Sequence, residues 1–147
     1  MQQIEIQAAP LEMLGMLLTP RRSDRLMSQA ARARVLLADR VVWNVNATAY
    51  GGGVAEMFQT LLAYGLGAGV DTRWIVLDAD PAFFAITKRV HNALHGSLDG
   101  GSGFDASEHE HYERVLQENL STLTRLVRPG DIVLLHDPQT AGTCLVT

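Results

Sequence analysis

An imidazole, a carboxylate and an amide stand close together at His136, Asp137 and Gln139, directly after the apolar run Ile132 to Leu135. Between them these side chains donate and accept hydrogen bonds and carry one negative charge, which suits them to hold a polar, hydroxyl-rich ligand. If Ile132 to Leu135 is a strand of an open α/β sheet, the three groups lie in the crevice beyond its carboxyl end, where such sheets bind ligands. The sequence runs on only to Thr147, so this stretch reads as half of a site.

Other polar residues fall at equivalent places. Asn44 and Asn46 close one apolar run, Asp78 and Asp80 another, and parallel strands bring such ends together. Gly51, Gly52 and Gly53 precede Val54, Ala55 and Glu56. Backbone without side chains lets an anion approach the amides at a helix N-terminus, where partial positive charge favours phosphate. The plainer alternative is a tight turn with Glu56 capping the helix. Neither the P-loop pattern nor Gly-x-Gly-x-x-Gly is present.

Lys88, His91, Asn92 and His95 lie at helical offsets of zero, three, four and seven, on one face. Two imidazoles, an amide and an ammonium suit hydroxyl-rich or anionic ligands. His91 and His95 also have the spacing of a zinc pair that His109 or His111 could complete, but His-Glu-x-x-His is absent and no metal is expected.

The elements that must position these groups follow from periodicity. Residues 1 to about 20 are weakly patterned. From Ser23, read as an N-cap, to Ala38 the residues favour a helix with Leu26, Ala30, Ala33 and Leu37 on one side. Residues 1–38 are therefore expected to be an N-terminal helical extension. Val41 to Val45 reads as a buried strand, and Val54, Met57, Phe58, Leu61, Leu62 and Gly65 as one face of a helix stopped by Gly67 and Gly69. Trp74 to Leu77 is the next strand, and Pro81 opens a helix running to Gly96. Gly96 to Gly103 is glycine-rich and expected to be mobile. Asp105 and Glu108 form an N-cap pair for a long helix with Tyr112, Val115, Leu116, Leu120, Leu123 and Val127 inward. Pro129 and Gly130 end it before the last strand. Strand, helix, strand, helix, helix, strand is the alternation of a parallel sheet covered by helices. The fold class is α/β, a Rossmann-like parallel sheet with flanking helices, and three strands are few for it.

The 147 residues suffice for one domain with a real core. Hydrophobic residues make up 47% and charged ones 19%, as in soluble proteins. A net charge of -4 disfavours nucleic acid as a partner, although six of the twelve basic residues fall between Arg21 and Arg40; Asp24 and Asp39 interrupt that cluster, which reads as a solvated helix face. Cys144 is the only cysteine, so no internal disulfide forms. The N-terminal segment has no basic start and its apolar stretch, Leu11 to Leu18, is too short to cross a bilayer, so neither secretion nor a membrane is expected and a cytoplasmic location is the default.

Three stretches in order, Trp43 to Glu56, Phe83 to Asn92 with Leu94 to Gly96, and Asp131 to Gly142, resemble the N-terminal domain of trehalose synthases of the glycosyltransferring type. These are similar to fungal trehalose phosphorylases. The likeness runs from about Val41 to Gly142. It implies a retaining enzyme of the GT-B kind, with two facing Rossmann-like domains, that moves glucose reversibly from a nucleoside-diphosphate glucose to glucose to form trehalose. It further implies that residues 39–147 form part of the acceptor-side domain, and that the nucleotide-sugar domain is absent from this sequence. Strands expected after Gly142 are missing too, which implies a fragment with little or no activity of its own.

By the same resemblance, Gly51, Gly52 and Gly53 approach the donor phosphates and His136, the catalytic candidate, lies beside the transferred sugar. Lys88, His91 and Asn92 match an acceptor-side motif, and Asn46, Asp137 and Gln139 complete a sugar-facing wall. No cofactor is implied. No side chain is an obvious nucleophile, which agrees with a front-face reaction in which the leaving phosphate helps deprotonate the acceptor, leaving the protein to position and stabilise charge.

Two other functions compete. One is a non-catalytic sugar-binding or assembly module, whose exposed apolar surface would favour a homo-oligomer. The other is a fragment of a nicotinamide-dependent dehydrogenase, since Asp78 follows the glycine loop near the spacing of a ribose-binding acid, against the missing glycine fingerprint.

Overall fold

The computed structural model describes residues 1–97 and 105–145. Most of the glycine-rich stretch read as mobile therefore lies outside the described residues. The elements run β1 (Gln2–Ile4), α1 (Leu11–Gly15), α2 (Pro20–Leu36), β2 (Val42–Asn46), α3 (Gly53–Gly67), β3 (Thr72–Val76), α4 (Pro81–Leu94), α5 (Ala106–Leu126), β4 (Ile132–Leu135) and α6 (Asp137–Thr140), then a 3₁₀ turn, Ala141–Leu145.

Four strands form one sheet in the order β1-β3-β2-β4. β2 is central and parallel to both β3 and β4, with Val42 opposite Thr72 on one side and Ile132 on the other. These are the three strands expected. A fourth strand adds to the three and makes the sheet mixed: β1 pairs antiparallel with the outer edge of β3, Gln2 opposite Val76. Gln2, Gln3 and Ile4 have neither alternation nor a β-branched run, so their strand comes from the unpaired backbone edge that β3 offers. The N-terminal segment is thus not helical throughout. α2 also begins earlier than Ser23, after Thr19, with Pro20 at the first helical position. Its stripe of Leu26, Ala30, Ala33 and Leu37 is only half-buried, and no residue of α2 is fully covered.

Alternation along the strands separates two cores. Trp43, Val45, Ile75 and Leu77 meet Val115, Leu116, Leu120 and Leu123 of α5, together with Phe83 of α4. Trp74 and Val76 point the other way, to Ala55, Phe58 and Leu62 of α3. The N-terminal segment packs against the far end of α3, where a Cβ on Gly67 would stand 1.8 Å from the carbonyl oxygen of Ala9. Gly67 is therefore a contact point as well as a helix stop.

Strand order fixes where a ligand belongs. From β2 the chain passes through α3 to β3 on one side, then crosses back to β4 on the other. The switch point lies at the carboxyl ends of β2 and β4.

Candidate functional site

A cleft of about 780 Å³ opens at that switch point. Its walls are the loop after β2, the first turn of α3, one face of α4 and the turn after β4, represented by Thr48, Gly51, Gly52, Gly53, Phe84, His91, Asp137 and Gln139.

The glycine loop supplies backbone rather than side chains. Gly51 and Gly52 have φ of 73° and 85°, and a Cβ on any of the three glycines would meet nothing within 4 Å. Conformation, not crowding, calls for glycine at the first two. Gly52 is also the N-cap of α3, and no side chain caps that helix, Glu56 included among the described hydrogen bonds. The first amides of α3 thus remain available at the cleft. No Lys or Arg is among the described residues lining it.

Asn46 sits beneath the loop, wholly covered. Its Oδ1 accepts from Trp74 Nε1 at 2.7 Å and its Nδ2 donates to the carbonyl oxygen of Thr48 at 2.8 Å. Its hydrogen-bonding groups are thus engaged in tying the loop to the sheet.

Opposite the loop, Asp137 has φ of 70°, a left-handed conformation that costs energy for a residue with a Cβ. The turn is held by Thr140, fully buried, whose hydroxyl donates to the His136 carbonyl oxygen at 2.7 Å. Gln139 lines the cleft, and its Oε1 is the buried side-chain polar atom left without a partner among the described residues. An unsatisfied buried acceptor calls for a donor from elsewhere.

His136 turns inward. Its Nε2 lies 3.2 Å from Asn44 Oδ1, and its ring stands edge-on to Phe58 with centroids 4.6 Å apart. Burial pushes its pKa below the ordinary histidine value, partly opposed by the Asp137 charge, so the neutral ring dominates near pH 7.

α4 brings His91 and Phe84 to the opposite wall. Asp80 caps it, accepting from the Phe83 N–H at 2.8 Å, and also faces His111 Nε2 of α5 at 2.9 Å. The Phe83 amide first and His111 second hold the Asp80 carboxyl below its usual range. Arg89 pairs with Glu108, the N3 residue of the capping box that opens α5. α4 is therefore fastened to α5 at two points.

The structure thus gathers Asn46, Gly51, Gly52, Gly53, His91, Asp137 and Gln139 on one cleft. His136 lies at the same rim but is not among the residues lining it, and neither are Lys88, which is exposed, and Asn92. His91 stacks with His95 at 4.3 Å, and no group of three or more metal-ligating side chains is assembled among the described residues. Sequence reasoning missed Phe84, which is 37% exposed on the cleft. The signal was the Phe83–Phe84 pair: adjacent helical residues cannot both face the core. No described helix is long and apolar enough to cross a membrane.

A family model described as "Trehalose synthase, N-terminal domain" matches residues 44–146. The trehalose synthase of Rubrobacter xylanophilus is 38% identical over 100 residues, 68% of this chain and 23% of that protein. That of Pyrococcus horikoshii is 36% identical over 108 residues, 72% of this chain and 25% of the relative. A trehalose phosphorylase from Grifola frondosa is 29% identical over 102 residues, 66% of this chain and 14% of the relative. The chain spans about a quarter of the length of the trehalose synthases it matches.

Proposed function

The chain belongs to the trehalose synthase N-terminal domain family, and from that premise we propose that its cleft holds the sugar acceptor when glucose passes reversibly from a nucleoside-diphosphate glucose to glucose. One observation carries this most directly. Gln139, with its buried and unpartnered Oε1, lines the same cleft as Asp137 and the uncapped amides of α3. Asp137 and, once its side chain turns toward the cleft, the Gln139 amide accept from sugar hydroxyls, and the helix N-terminus meets phosphate charge where no Lys or Arg lines the cleft among the described residues. Phe84 offers an apolar ring face to the sugar.

On this account residues 39–147 form part of the acceptor-side domain, and a nucleotide-sugar domain outside this sequence forms the opposite wall. The protein's contribution is orientation and charge stabilisation, with the leaving phosphate taking part in deprotonating the acceptor. The 147 residues by themselves are expected to bind glucose or trehalose without turnover. A transfer assay with nucleoside-diphosphate glucose and glucose, run beside a glucose titration, tests both halves. Full turnover by this chain contradicts the need for a second wall, and absence of any sugar binding contradicts the acceptor role.

A role in assembly has its own supporting observation. β4 is an edge strand with Leu134 43% exposed, beside an apolar groove of about 370 Å³ formed by Leu120, Leu123, Val127, Val133 and Leu135. Light scattering that finds only monomer at high concentration removes it. The dehydrogenase alternative is weaker, because Asp78 lines a different cleft from the glycine loop, one formed by Met1, the loop after β3 and α5.

A further inference from the structure

Asn44 is a polar residue in the middle of the sheet, 4% exposed, on the same face as Trp74 and Phe58. Burying an amide is unfavourable unless its donors and acceptor are all used. Its surroundings decide which way it points. On one side lie three oxygens: Thr72 Oγ1 at 2.9 Å, the Val42 carbonyl at 3.3 Å and the Arg73 carbonyl at 3.4 Å. The Thr72 hydroxyl spends its hydrogen on the Val42 carbonyl at 3.2 Å, so it too presents a lone pair to Asn44. Only an NH₂ group satisfies that side; the reversed amide would set oxygen against oxygen.

The amide oxygen is thereby fixed toward His136, whose Nε2 lies 3.2 Å away. An amide oxygen can only accept, so Nε2 must carry the hydrogen. The histidine is held from two further directions, by its backbone N–H donating to the Val45 carbonyl at 2.8 Å and by the Phe58 ring. Among the described hydrogen bonds none involves Nδ1.

We propose that Asn44 is a positioning residue that locks His136 in its Nε2–H tautomer, so that Nδ1 keeps a lone pair that can accept a hydrogen bond from a ligand hydroxyl. The ligand half of this statement rests on the sugar-binding function proposed above; the tautomer half rests on geometry alone. Burial, which favours the uncharged ring, supports it. His136 therefore acts by accepting rather than by donating, and polarity is set from β3 through Thr72 and Asn44.

Long-range ¹H–¹⁵N correlation spectra of the ¹⁵N-labelled chain, without sugar, read tautomers directly. His136→Gln assigns the His136 signals among the five histidines, and free N-acetylhistidine amide serves as the reference, since His109 Nε2 itself faces Glu113 Oε1 at 3.2 Å. The expected result is a single Nε2–H tautomer for His136, its imidazole proton exchanging roughly tenfold more slowly than that of the reference, about the factor one net hydrogen bond supplies. In Asn44→Leu the slow proton is lost and the His136 tautomer ratio moves to that of the reference. An Nδ1–H form in the wild-type chain overturns the inference whether or not the variant folds, as does an unchanged protected Nε2–H in folded Asn44→Leu. A glucose titration of the same sample separates the two claims. Sugar-induced shifts without the Nε2–H form remove the inference alone, whereas that form with no sugar response removes the ligand half and upholds the tautomer.

Discussion

The two ends of the sheet treat their polar groups in opposite ways. At the amino ends of β2 and β4, the Asp131 side chain is almost fully covered and its two oxygens accept from the Val41 N–H, Trp43 Nε1, the Arg128 N–H and the Arg128 guanidinium. At the carboxyl ends of the same two strands, Gln139 Oε1 lacks a partner, α3 starts uncapped and Asp137 sits in a strained conformation. Identical strands are clasped at one end and left open at the other. Stability is concentrated where hydrogen bonding is complete, and ligand binding is expected where it is not, since open groups and strain cluster at functional sites.

The contrast breaks first at Asp131. Asp131→Ala leaves the Val41 N–H and the Trp43 indole without their acceptor, and it should lower the melting temperature more than any other substitution named here. Sugar affinity of the protein that remains folded should not change. Backbone donation from Val41 and then Arg128 holds the Asp131 carboxyl well below its ordinary value of 3.8. The depressed carboxylate contributes its stability in full above about pH 4 and loses it as pH falls toward the folded value. Thermal melts from pH 7 to pH 2 should show an acid limb that Asp131→Asn flattens.

At the open end, Gly52 combines φ of 85° with ψ of 151°, a region that residues with a Cβ scarcely enter. Gly52→Ala should cost about 1–3 kcal/mol by denaturant titration and weaken nucleoside-diphosphate glucose binding in a full-length relative. For His136→Ala the order reverses. Loss of its edge contact with Phe58 and of the donor to the buried Asn44 Oδ1 should cost about 1–3 kcal/mol, while turnover in a full-length relative falls by more than the matching factor. Because burial depresses the His136 pKa, the neutral ring's contribution is present above about pH 6.5 and is lost as pH falls from there toward the folded value. Comparing melts of the wild type and His136→Ala across that range isolates it. Asp137→Gly should have the smallest effect on stability, within about 0.5 kcal/mol, since relief of the left-handed strain offsets the added freedom of the unfolded chain. Glucose affinity should nevertheless fall, as measured by titration.

Much of this was legible in the residues. Apolar periodicity marked β2, α3, β3, α4, α5 and β4, because each buries a face whose pattern is local. β1 was not legible, since its pairing depends on β3 and not on Gln2, Gln3 and Ile4 themselves. The glycine loop, Asp137 and Gln139 were visible because they follow strand ends, and parallel strands carry such positions to one rim. The inward turn of His136 was hidden. It depends on Asn44, and the orientation of Asn44 depends on oxygens contributed by Val42, Thr72 and Arg73, contacts across strands that no spacing encodes. Lys88 and Asn92 share a helix face with His91, but only the tilt of α4 over the cleft decides which of them lines it.

The most direct measurement is a glucose titration of the 147-residue chain followed by backbone and side-chain NMR. Saturable shifts confined to Gly51 through Gly53, His91 and His136 through Gln139 are predicted, with the surroundings of Asp131 silent. No saturable response, or shifts centred on the Asp131 end of the sheet, would contradict the assignment of ligand binding to the open end.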